Sequence, residues 1–258
     1  MTTEDVLLRA DHDAIATLTL NRPAQYNALS EELLDALGAE LIRLGSDDTI
    51  RVVIITGAGK AFCSGHDLKE MRTHHDEKYN RHLFRKCSDM MQSIIGLPQP
   101  VIARVQGMAT AAGCQLVTSC DLAIAADDVR FAVSGISVGL FCSTPGVALS
   151  RNISRKHAME MLLTGEFIDA DTAERYGLIN HAVPRADLDS TVERLETVIS
   201  ARPTEAVRLG KQLFYRQIEK PLAEAYNHAI DSMACNLMQE ATLEGIDAFI
   251  EKRPPRWD

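Results

Sequence analysis

Apolar positions along the chain change period several times, and each change marks an element. Residues 6–9 and 15–20 read as two short strands. The second sets Ile15, Thr17 and Thr19 against Ala16, Leu18 and Leu20, and the turn carrying Asp11, His12 and Asp13 predicts a hairpin. In NRPAQYNALS (residues 21–30) Pro23 prevents strand continuation, and Ser30 followed by Glu31 and Glu32 is a helix start. Leu33, Leu34, Leu37, Leu41 and Leu44 then fall at helical spacing, so residues 30–44 are predicted as an amphipathic helix. Residues 51–56 form a buried strand by their β-branched composition. A glycine turn, Gly57-Ala58-Gly59, leads on to AFCSGHDLKEM (residues 61–71), with a small-residue loop at Cys63-Ser64-Gly65 and a helix start at Asp67.

Residues 72–86 are the most polar stretch, read as a solvated loop or helix edge. Helical periodicity resumes at Leu83, Cys87, Met90, Met91, Ile94 and Ile95. After GLPQP (residues 96–100) come a strand at 101–105, a small-residue loop GMATAAG at 107–113, a short buried helix at 114–118 and a strand at 121–125. Residues 131–143 are apolar or small, and Thr144-Pro145 predicts a helix with proline at its first position. Helices follow through 150, over 155–164 and over 170–176 with Gly177 as cap, then a last strand at 179–183. Beyond 186 the pattern is helical throughout: 188–201, 204–217, 222–238 and 242–252. This change divides the chain into a mixed α/β part, 1–185, and a helical part, 186–258. The broad apolar faces of the latter suit subunit packing or packing back on their own core.

Composition narrows the classes. The 258 residues carry a net charge of −9, with 46% apolar residues and no Lys/Arg-rich run, which argues against nucleic-acid binding. No apolar run is long enough to span a membrane. The acidic start MTTEDVLLRA is neither a secretory signal nor a transit peptide. With six scattered cysteines and no C-x-x-C pair, it points to reduced, mostly buried thiols and a cytoplasmic setting.

Several chemistries are excluded by spacing. Gly57-Ala58-Gly59-Lys60 lacks the earlier glycine of a P-loop (Ile54 stands there) and the following Ser/Thr. There is no G-x-S-x-G elbow. Cys63 and Cys142 have no paired histidine and acid, so both read as structural thiols. His74, His75, Asp76 and His82 lack metal-ligand spacing, so no metal is expected. What remains is a strand, a glycine and a helix start at residues 61–67, which leave backbone N–H groups free to hold developing negative charge.

Five stretches in order, NRPAQYNALS, AFCSGHDLKEM, PVIARVQGMATAAGCQLVTSCDLAIAADDVRF, LTGEFIDADTAERYGLIN and EGIDAFIEKR, together resemble the enoyl-CoA hydratase/isomerase (crotonase) superfamily over almost the whole chain. The resemblance implies an α/β fold, a crotonase (ClpP-like) spiral of repeated ββα units, with a C-terminal helical region that builds homotrimers, often paired into hexamers. It implies an acyl-CoA ester as partner, with coenzyme A entering as part of the thioester substrate and no separate cofactor. By motif matching, the N–H of His66, after Ser64-Gly65, and the N–H of Ala112, within Ala111-Ala112-Gly113, polarise the thioester carbonyl. Close helix–strand packing is the plainer reading of Ala111-Ala112-Gly113, and the two are compatible. Substrate contacts carry over to Arg22, Ala24 and Gln25, to Gly65, Asp67, Leu68 and Lys69, and to Phe249 and Lys252, these last two reaching CoA from a neighbouring subunit. Ordinary surface lysine is the competing reading for Lys69 and Lys252.

The family pattern breaks at its acid–base pair. Family hydratases use two glutamates, whose positions here hold Gln115, after Gly113-Cys114, and Gly135, four residues before Gly139. An amide orients water but cannot take its proton, and glycine does neither. No acid occurs between Asp128 and Glu160. With SGHDLKEM, AAGCQL and VGLFCSTPG, the pattern is similar to the enoyl-CoA hydratase domain-containing protein 3 group. The resemblance therefore implies a nominal enoyl-CoA hydratase of fatty-acid metabolism, a lyase by class, with weak or altered activity. Two other readings stay open. One is a malonyl-type acyl-CoA decarboxylase, since Gly65-His66-Asp67 also resembles the methylmalonyl-CoA decarboxylase branch, with His66 holding a carboxylate or supplying a proton; the plainer reading is that His66 contributes only its N–H, with its ring packed or solvated. The other is a non-catalytic acyl-CoA binding protein. Ser134, Ser137, Cys142, Ser143 and Thr144 are expected to make the acyl end polar.

Overall fold

In the computed structural model, which describes residues 5–257, a hairpin of β1 (Leu7–His12) and β2 (Ile15–Leu20) opens a six-stranded sheet. Both turn residues, Asp13 and Ala14, have positive φ, as the two-residue hairpin turn matched to strand twist requires. A 3-10 turn, Pro23–Gln25, follows. Asn27, fully buried at φ 54°, then ties the segment down: its side-chain oxygen accepts from the Arg22 N–H, and its amide donates to the Ala58 and Ala61 carbonyls. Helix α1 (Glu31–Gly45) starts where the sequence places it, with the Ser30 hydroxyl accepting from the Leu33 N–H at 3.2 Å. Its five predicted leucines are all buried.

From here a unit of two strands and a helix recurs. It is built by β3 (Val52–Gly57), β4 (Ala61–Cys63), α2 (Leu68–Thr73) and α3 (Glu77–Gly96). It returns as β5 (Val101–Val105), β6 (Met108–Thr110) and α4 (Ala112–Ser119). The third pass is β7 (Leu122–Ala126), β8 (Arg130–Ala132), α5 (Ser143–Asn152) and α6 (Arg155–Thr164). Then come β9 (Ile168–Asp169), α7 (Ala170–Tyr176) and β10 (His181–Val183). The first strand of each unit joins the sheet β1-β2-β3-β5-β7-β10, and the second joins a smaller sheet, β4-β6-β8-β9. Within the smaller sheet β4, β6 and β8 run parallel, so their carboxyl ends lie side by side. That edge is where ligands bind in parallel α/β sheets.

Several boundaries differ from the sequence reading. The GMATAAG stretch contains β6, and β9 was not foreseen. Helix α5 starts at Ser143, which makes Pro145 its third residue, where a missing N–H is still no loss to the helix. The polar stretch before Leu83 is already helical from Glu77, capped by Asp76, whose carboxylate accepts from the Tyr79 N–H at 2.8 Å. His74 stacks on Tyr79, and no group of metal-ligating side chains occurs among the described residues. Five cysteines are buried, while Cys235 is exposed.

Helices α8 (Leu188–Ser200), α9 (Thr204–Gln217), α10 (Leu222–Leu237) and α11 (Glu240–Glu251) complete the chain. The first two pack back on the α/β part. Leu188 and Val192 of α8 are buried in its core. On α9 the buried Lys211 ammonium donates to the Ile94 and Gln99 carbonyls and to Asp121, which also accepts from Tyr215. All three ammonium donors are thereby satisfied, the condition for burying a charge. Among the described residues no helix is long and apolar enough to cross a membrane.

Candidate active site

The three parallel ends of β4, β6 and β8 deliver three turns to one place. After β4 the chain runs extended beside Leu29: the Leu29 N–H donates to the Gly65 carbonyl at 2.8 Å, and the Asp67 N–H donates to the Leu29 carbonyl at 3.2 Å. Groups alternate in direction along such a segment, so the N–H of His66, between these two, points away from Leu29. After β6, Ala111 adopts φ 50° and ψ −119°, a conformation alanine seldom takes, and α4 begins at Ala112. The first internal bond of α4 runs from the Gln115 N–H to the Ala111 carbonyl, so the Ala112 N–H precedes the helical bonding pattern. Gly65 brings the two turns together: a Cβ on it would lie 3.2 Å from the Ala112 nitrogen. Gly113 shows that the packing reading also holds, since a Cβ there would run into the Cys63 carbonyl.

His66, Ala111 and Ala112 line a cavity of about 260 Å³. Its wall is more apolar than expected. Ser134, Cys142, Ser143 and Thr144 contribute as foreseen, and Ser137 does not. Met71, Phe84, Val138, Leu140, Phe141 and Pro145 join Leu68 to dominate it. Sequence reading missed these because they come from four separate segments. No Asp, Glu, Lys or Arg lines the cavity, and His66 is the imidazole in its wall.

The imidazole of His66 contacts Phe84 edge-on at 5.4 Å between ring centroids, and neither ring nitrogen has a hydrogen-bond partner. Burial, only partly offset by the nearby Leu29 backbone, lowers its pKa from 6.5 to about 4, so the ring is neutral at neutral pH. The unfolded chain takes up this proton between those two values and the folded chain does not. Stability contributed at this site is therefore intact above about pH 6.5 and lost as pH falls through about 4, on the order of 3 kcal/mol. Urea unfolding of the wild type and of His66→Asn at both ends of this range is expected to show the larger acid loss in the wild type. Equal losses would contradict the buried, neutral ring.

The other sequence candidates divide. Gly135 and Leu68 lie in the cavity wall. Gln115 does not: it is buried within α4, its side-chain oxygen without a donor. Arg22 and Asp67 pair with each other at 3.0 Å, and Arg22 also holds the Ala28 carbonyl. Burial opposes the Asp67 charge, but Arg22 and the Glu70 and Lys69 N–H groups outweigh it and hold the carboxyl below its usual range. Both residues thus fix the loop that carries His66. Ala24, Gln25 and Lys69 are exposed. Phe249 and Lys252 belong to the end of α11 and line no part of this cavity; Phe249 is 85% exposed. The buried cysteines are poor nucleophiles, for burial pushes the Cys63 and Cys114 thiols up to about 12 and raises that of Cys142.

Comparison with known proteins identifies the family. Residues 10–258 match the enoyl-CoA hydratase/isomerase family. The chain is 45% identical to the mitochondrial enoyl-CoA hydratase domain-containing protein 3 of Xenopus laevis, over 97% of this chain and 85% of that one. It superposes with a TM-score of 0.97 on an enoyl-CoA hydratase crystal structure from Mycobacterium smegmatis, 56% identical over 98% of this chain and 99% of the other. The crystal structure of human enoyl Coenzyme A hydratase domain-containing protein 3 superposes with a TM-score of 0.95 at 42% identity, covering 98% and 100%. A match that runs through every unit of the spiral and both turns at the cavity leaves one conclusion: the chain belongs to the enoyl-CoA hydratase/isomerase family.

Proposed function

We propose that the protein binds acyl-CoA thioesters with the carbonyl oxygen between the His66 and Ala112 N–H groups, stabilises the enolate, and hydrates enoyl esters poorly. The observation that carries this reading is the juxtaposition of two backbone donors in a cavity with no carboxylate side chain. In many acyl-transfer and enolate reactions, paired donors aimed at the developing oxyanion supply most of the transition-state stabilisation. Hydration also needs a proton taken from water and one delivered to carbon. Gln115 is buried in its helix and Gly135 has no side chain, so neither supplies such a group.

His66 favours a second reading. Its unpartnered, neutral ring in the cavity wall offers one N–H to a substrate carboxylate, the group a malonyl-type thioester would bring. Loss of carbon dioxide leaves its electron pair in the enolate, which the oxyanion donors hold until a proton reaches the α-carbon. No general base is needed. Mass spectrometry of the protein with enoyl-, hydroxyacyl- and malonyl-type CoA esters separates the readings. Gain of water marks the hydratase of fatty-acid metabolism, loss of carbon dioxide the decarboxylase, and binding without turnover an acyl-CoA carrier.

A homotrimer or dimer of trimers fits the surface of the helical region, residues 186–258. Phe214, Ile218, Leu222, Tyr226, Met233 and Phe249 are all exposed along α9 to α11 in the single chain. Sedimentation equilibrium is expected to give three or six copies, and a monomer at micromolar concentration would refute it. In such an assembly Phe249 and Lys252 would reach CoA in a neighbouring subunit. The free thiols suit a reducing compartment, which fits a cytoplasmic setting and equally the mitochondrial one in the Xenopus relative's name.

A further inference from the structure

The apolar wall of the cavity borders a second hollow. Phe84 and Thr144 line the cavity on one side and, on the other, line this hollow, an open groove of about 500 Å³. The remaining groove residues, Glu77, Asn80, Arg81, Arg85 and Ser88, all come from α3. Their spacing of three and four places them on one face of that helix. One half-buried side chain, Phe84, therefore separates an uncharged acyl cavity from a groove carrying two guanidinium groups. Arg81 is paired with Glu77 at 2.6 Å. Among the described residues Arg85 forms no ion pair.

We propose that this groove is a second subsite, which takes the distal carboxylate of a long dicarboxylic acyl thioester. The proposal rests on the acyl-CoA reading of the cavity. An acyl chain held at the Ala112 turn and long enough to pass Phe84 emerges against Arg85. A hydrocarbon end gains little there, because the groove is open and polar. A carboxylate gains a charge-assisted and sterically matched partner, since a guanidinium presents two parallel N–H donors to its two oxygens. The groove is solvated, so the gain is modest, on the order of fivefold in affinity.

Calorimetric titration of the protein with three probes tests this: crotonyl-CoA, decanoyl-CoA and the single thioester of decanedioic acid with CoA. The wild type is expected to bind the diacid ester about fivefold more tightly than decanoyl-CoA at low salt, with the preference shrinking as salt rises. Arg85→Ala is expected to bring the ratio of the two long esters close to one, and Arg85→Lys to keep part of it. Equal affinities for the two long esters in the wild type would overturn the proposal, as would a preference that survives Arg85→Ala. Failure of crotonyl-CoA itself to bind would overturn the acyl-CoA reading, and the proposal with it.

Discussion

Crotonyl-CoA is expected to bind the protein and to remain almost unhydrated. A positioned general acid or base contributes roughly 10²–10⁴-fold, so lacking the carboxylate pair puts turnover on the order of 10⁴-fold below an efficient hydratase. The deficit is not expected to yield to a single substitution. Gln115→Glu puts a carboxyl at a buried position where the amide oxygen already lacks a donor, which raises the pKa of the acid and makes it a poor carboxylate. Gly135→Glu fails on space: a Cβ at Gly135 would run into the Leu140 carbonyl oxygen and press on the Cys142 sulfur, which accepts from the Gly135 N–H at 3.2 Å. The loop after β8 is folded around the absence of a side chain. Spectrophotometric hydration assays on the wild type and both variants check this; efficient turnover by the wild type would refute it.

Ala112→Pro is expected to remove the second of the proposed donors; because proline also disfavours the positive φ of Ala111 before it, only variant protein that keeps its fold reports on the donor. Ala112 is the first residue of α4, where proline is best tolerated and where no helical hydrogen bond is lost. The predicted effect is a loss of about 3 kcal/mol in enolate stabilisation, on the order of 10²-fold in any turnover the ester screen detects. Binding of a saturated acyl-CoA should change much less, because its carbonyl carries little charge. Circular dichroism and thermal unfolding report whether the fold is kept. A folded variant with undiminished turnover would remove Ala112 from the mechanism.

Much of the architecture was legible in the chain because the larger elements carry their own signals. The leucines of α1 and its Ser30 cap fix that helix, Gly177 ends α7, and β-branched runs mark β3 and β5. The smaller sheet was harder. Strands β4, β6 and β8 have three residues each, too few for alternation to show, and their small residues serve close approach to helices. The first turns of α3 face solvent, so no apolar stripe announces them. At the site, the two turns were legible as motifs, but what surrounds them was not. Gln115 shares a short helix with Ala112, yet that helix is buried on every side, and sequence alone does not say which side faces the cavity. Arg22 and Asp67, read from the sequence as ligand contacts, pair with each other across forty-five residues, which no local pattern announces. Asn27, the knot between the first loop and the β3–β4 turn, was not legible because the two carbonyls its amide donates to are more than thirty residues away.

If two backbone donors hold a thioester enolate here without an acid–base pair, acetoacetyl-CoA reports it in its ultraviolet spectrum. Its enolate and keto forms absorb differently, and the ester can be titrated with the protein at a pH where the free form is mainly keto. Growth of the enolate band is expected on binding to the wild type, and its loss in folded Ala112→Pro. Saturating binding with the keto spectrum unchanged would contradict the two-donor site.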